Sequence, residues 1–92
     1  MAQNQTQPVA RGIITSATPV VIPAPATMQL PGSITLKSAD AGRLIELSTD
    51  GGVEYFTPVV DVQSATMRIV IVNAPITHIR VTGTANDTYI VS

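Results

Sequence analysis

Apolar and polar residues alternate along much of the last two thirds of this chain. A period of two places alternate side chains on opposite faces, the signature of a half-buried β-strand. Ser33-Ile34-Thr35-Leu36-Lys37 has Ile34 and Leu36 on one face. Arg43 to Ser48 repeats the pattern with Ile45 and Leu47 inward. Thr77 to Thr82 does so again, with Ile79 and Val81 inward and His78, Arg80 and Thr82 outward. Met67 to Val72 sets Met67, Ile69 and Ile71 on one face and Arg68, Val70 and Val72 on the other. A strand apolar on both faces is central or lies against a partner. Thr88 to Val91 predicts a final strand, and no stretch has the 3.6-residue period of an amphipathic helix.

Turn residues separate these runs. Thr49-Asp50-Gly51-Gly52 predicts a tight turn, because Gly tolerates the positive φ that hairpins need. The segment Val53 to Thr57 then reads as the returning partner of Arg43 to Ser48, a hairpin over 43–57. Asp40 and Asp50, each in a loop, are expected to bond backbone N–H groups. Pro58 ends the hairpin, and Val59-Val60-Asp61-Val62 reads as a crossing segment.

Composition agrees with the pattern. Val, Ile and Thr make up 33 of 92 residues against four Leu, and branching at Cβ favours the pleated strand over the helix. The expected fold is all-β, a compact antiparallel sandwich or small barrel. A second composition breaks the chain near residue 32. Residues 1–32 hold five of the seven prolines and only one charge, Arg11, whereas 33–92 hold the other ten charges. The domain reading is an extended, Pro-rich N-terminal arm over 1–32 and a β domain over 33–92. Such an arm has little means of ordering alone. It is expected to lie on a neighbouring subunit, filling grooves with Ile13, Ile14, Val20, Val21 and Ile22; the alternative is an arm folded back on its own domain.

Charge narrows the functional classes. Charged residues are 12% of the chain, about half of what an ordinary soluble domain carries, and 45% are hydrophobic. So little charge on a small domain points to surface buried against partners, a homo-oligomer included. The five cations are dispersed, so no basic stripe for nucleic acid forms. No apolar run approaches the ~20 residues of a membrane span, and no signal-peptide pattern opens the chain.

Candidate chemistry is sparse. His78 is the single histidine and falls on an outward strand position; the six acids do not cluster; there is no cysteine. Glu46 and Glu54 are expected to be exposed carboxylates relieved by Arg43 or Lys37. No calcium-loop spacing and no phosphate loop is present, since neither a helix nor a Lys follows Gly51-Gly52. The expectation is a protein without catalytic residues, metal or cofactor.

The "ST-DGG-VEYF-TP" segment, the closing "P-ITHIRVTG-TANDTYIV" and the Gln/Thr/Pro-rich leader together resemble small virion proteins of tailed bacteriophages. The resemblance is one of style over the last two thirds and carries no functional residues. It implies a virion protein that decorates or cements the capsid, a trimer clamping major capsid protein subunits. The alternative is a tail, baseplate or fibre component with a receptor- or carbohydrate-binding role, which would use Tyr55, Phe56 and Tyr89 as stacking platforms.

Overall fold

The computed structural model describes residues 10–15, 19–28 and 30–92. Among these residues eight strands form: β1 Ala10–Ile13, β2 Val20–Pro23, β3 Gly32–Lys37, β4 Leu44–Ser48, β5 Asp61–Gln63, β6 Met67–Val72, β7 His78–Thr82 and β8 Thr88–Val91. They build a five-stranded sheet in the order β1-β8-β3-β6-β5 and a three-stranded sheet in the order β2-β7-β4. Every strand pair is antiparallel. The architecture is all-β and sandwich-like, as the alternation predicts.

The core lies between the sheets. The larger sheet contributes Ile34, Leu36, Val70, Val72, Tyr89 and Val91, and the smaller Ile45, Leu47, Ile79 and Val81. The inward residues of β3, β4 and β7 are those the period-two pattern selects. In β6 the inward set is Arg68, Val70 and Val72, while Ile69 and Ile71 stay half-exposed on the outer face.

Two expectations change. The hairpin over 43–57 does not form as two strands: β4 pairs with β7, and only Leu47 and Phe56 meet as an isolated bridge. The cause is local. Asp50 Oδ1 accepts from the Val53 and Glu54 N–H groups at 3.2 and 3.0 Å, and Ser48 Oγ accepts from Gly52 N–H at 3.0 Å. Side-chain oxygens thus take up the donors that a ladder would use. Gly51 and Gly52 do adopt positive φ, 82° and 88°. The second change concerns residues 10–15 and 19–28. They supply β1 to one sheet and β2 to the other, and Ile14 between them is fully buried in the core. This part of the chain folds onto its own domain, the second of the two arrangements open to it, so neither sheet respects a boundary at residue 32. Residues 1–9, 16–18 and 29 of the expected arm lie outside the described residues.

Chain path explains the interleaving. Only β5 and β6 are sequential neighbours in one sheet; every other connection passes between the two sheets. Residue pairing is therefore set by apolar strand faces meeting across the core, and not by local turns.

Candidate interaction surfaces

The outer face of the larger sheet is its most unusual surface. Arg11, Ile90, Thr35, Ile69 and Val62 stand in register across all five strands. Beside this row, Ser33 pairs with Ile71, whose N–H donates to the Val60 carbonyl at 3.1 Å. Charge sits at one side only: Arg11 and Lys37 border a depression of about 530 Å³ that Ile13 and Ile90 also line. Toward β5 the face is apolar, with Val62 60% and Val60 41% exposed.

That apolar region continues round the end of the sandwich. Phe56, Pro58, Val59, Val60, Ile71 and Ile76 line a groove of about 180 Å³, and no charged side chain borders it. Val59 is fully exposed and Phe56 nearly half exposed. Of the large apolar side chains exposed among the described residues, most fall between Val53 and Val62. Scattered apolar residues are ordinary on a surface, but their concentration in one segment marks a contact region.

The smaller sheet presents the opposite character. On its outer face Arg80 is paired with Glu46 across β7 and β4, Nε to Oε1 at 2.9 Å. Tyr55 comes over from the 49–57 loop and lays its ring 4.0 Å from the Arg80 guanidinium carbon. A cation over an aromatic face is attracted by the negative face of the ring quadrupole. Glu46 thus finds its cation in Arg80, and not in Arg43 or Lys37. His78 stands opposite Ser48. Yet the Ser48 hydroxyl donates to Asp50 Oδ1 at 2.7 Å, and His78 Nδ1 is buried without a hydrogen-bond partner. A serine nucleophile needs its proton taken by the imidazole; here the hydroxyl is bonded to the carboxylate directly.

A polar clasp closes the sandwich between β5, β6 and the start of β4. Arg68 donates from Nε and Nη2 to the Asp61 carboxylate, 2.9 and 2.5 Å for the shorter contacts. Its Nη1 reaches the Arg43 carbonyl in the facing segment at 2.5 Å, and Arg43 in turn donates to the Ser64 carbonyl. Both Arg68 and Asp61 side chains are largely buried, 12% and 14% exposed. Asp61 holds the Arg68 guanidinium further above its ordinary range, by hydrogen bonding first.

The five residues expected to bind a partner do not share one surface. Ile13 is 61% exposed on the larger sheet, and Val21 is 51% exposed beside Arg80 on the smaller. Ile14 is core, and Val20 and Ile22 pack against it. Nor do the aromatics converge: Tyr89 is buried, Tyr55 covers Arg80, and Phe56 edges the apolar groove. Among the described residues no three His, Cys, Asp or Glu side chains come together. Sequence patterning missed the 53–62 surface. Its one signal was the Val59-Val60-Asp61-Val62 run, too apolar for a loop and without the period of a strand. Comparison with family models, with curated proteins and with solved structures finds no match.

Proposed function

We propose that this chain is a non-enzymatic structural protein of a tailed-phage virion, decorating the capsid and bridging neighbouring major capsid protein subunits. The observation that supports it is the uncharged apolar surface of Phe56, Val59, Val60 and Val62 on a chain with so few charges. A protein that works alone in solution has no use for such a surface, whereas one built into a shell buries it. The resemblance to small virion proteins points the same way. Docking here is assigned to the 53–62 segment and the adjoining sheet face, with the exposed Ile13 and Val21 as secondary contacts.

Cosedimentation with tailed-phage shells lacking their decoration proteins tests the reading. The full chain is expected to pellet with shells saturably, and Phe56→Ser with Val59→Asp to weaken that binding by about tenfold or more, the effect of removing central apolar anchors. Point variants serve better than truncation, because deleting 1–25 removes a strand from each sheet and Ile14 from the core. Absence of shell binding combined with saturable binding on a glycan array would replace this reading with the tail-associated, carbohydrate-binding one.

A further inference from the structure

The two sheets have four outer edges, formed by β1, β5, β2 and β4. An open edge invites another strand, and proteins block it with charge, proline or a covering segment. Arg11 stands exposed in β1, Pro19 and Pro23 bracket the apolar run of β2, and Phe56 is bonded to β4. Among the described residues, the edge of β5 carries none of these. Its one charge, Asp61, is drawn inward onto Arg68.

Backbone alternation fixes what this edge offers. The Val60 carbonyl accepts from Ile71 and the Ser64 N–H donates to Met67, both toward β6. In an antiparallel ladder successive residues turn their polar groups to opposite sides. Asp61 and Gln63 therefore direct their N–H and C=O groups outward, with Val62 between them.

We propose that β5 pairs antiparallel with β5 of a second copy, about a two-fold axis at Val62. Asp61 then faces Gln63 of the second copy, and each such pair exchanges two backbone hydrogen bonds. Val62 meets Val62 of the second copy, extending the apolar row that runs through Ile69. The edge is its own complement, which favours a second copy over a foreign strand. No like charges meet at the seam, because each Asp61 lies opposite a Gln and keeps its own Arg68. A net charge of −1 adds little repulsion. The contact is isologous and closes at two copies. It stands apart from the virion reading, and it replaces the three-fold assembly expected from the sequence by a two-fold one.

Sedimentation velocity of the full chain over a dilution series tests this. So short an edge belongs with small interfaces, so dissociation is expected in the ~micromolar to ~millimolar range. Gln63→Pro deletes an outward N–H and leaves the β6 ladder intact; Val62→Lys sets cation against cation at the axis. Each is expected to weaken dimerisation by about tenfold or more, with unchanged circular dichroism. Val21→Lys, on the other sheet, should leave the dimer as it is. A monomer at every concentration, a trimer, or a dimer indifferent to both variants overturns the proposal. A dimer that ignores phage shells supports it while removing the virion reading, and a monomer that coats shells does the reverse.

Discussion

At residue scale, four positions carry consequences that burial alone hides. Gly12 is paired with Tyr89, whose ring lies over it; a Cβ there would overlap the phenol. Gly12→Ala should cost about 1–3 kcal/mol in urea denaturation, the usual toll of overpacking. Arg68 holds Asp61 and a carbonyl of the facing sheet segment together. Arg68→Ala strands a largely buried carboxylate and is expected to cost about 2–3 kcal/mol. The double variant with Asp61→Asn should lose less than the sum of the single variants, and a double-mutant cycle reads the difference. Asp50 is held below its ordinary value of 3.8, mainly by the Glu54 N–H and then by the Ser48 hydroxyl. Asp40 is lowered likewise, mainly by the Thr84 hydroxyl and then by the Gly42 N–H. A carboxyl whose folded value lies below its unfolded value stabilises the fold above the unfolded value. That contribution fades as pH falls through the folded one. The denaturation midpoint should therefore drop as pH falls below about 4, and Asp50→Asn should flatten the part of the slope that this loop supplies.

Elements were legible wherever one face is buried. Ile34 and Leu36, Ile45 and Leu47, and Ile79 and Val81 are inward as their alternation requires, because a one-residue slip would turn each pair to water. The hairpin over 43–57 failed for a reason also written in the chain, though in a weaker script. Ser48 and Asp50 supply oxygens that satisfy the N–H groups of Gly52, Val53 and Glu54, and this local satisfaction competes with the ladder. Strand β5 was hidden for another reason. Only three residues long, it pairs on one side and leaves Val62 and Gln63 exposed, so burial never imposes alternation on it. The candidate surface inherits that obscurity: exposed apolar residues leave no periodic trace.

At the scale of the whole molecule, the class of fold follows from β-branching and alternation, but the pairing of strands does not. Proline density near the start suggested a separate arm. The apolar residues spaced among those prolines instead give the sheets two edge strands, since Ala10, Val20 and Ile22 have core to pack against. Prolines at 19 and 23 are tolerated because β2 is an edge and lacks a second neighbour. The exposed surface from Val53 to Val62 and the seam at Val62 lie on the opposite flank of the larger sheet from β1. A shell contact and a self-contact can therefore be separated by substitution, Phe56 and Val59 for one and Gln63 for the other.

The position of β8 between β1 and β3 governs how the chain is made. A ribosome makes β1 well before β8, so Ala10–Ile13 has no neighbour in its sheet until Thr88–Val91 has emerged. Closing so distant a pairing is slow compared with forming a hairpin. During synthesis β1 waits unmatched while β2, β4 and β7 can already pair, and its docking beside β8 is a late step.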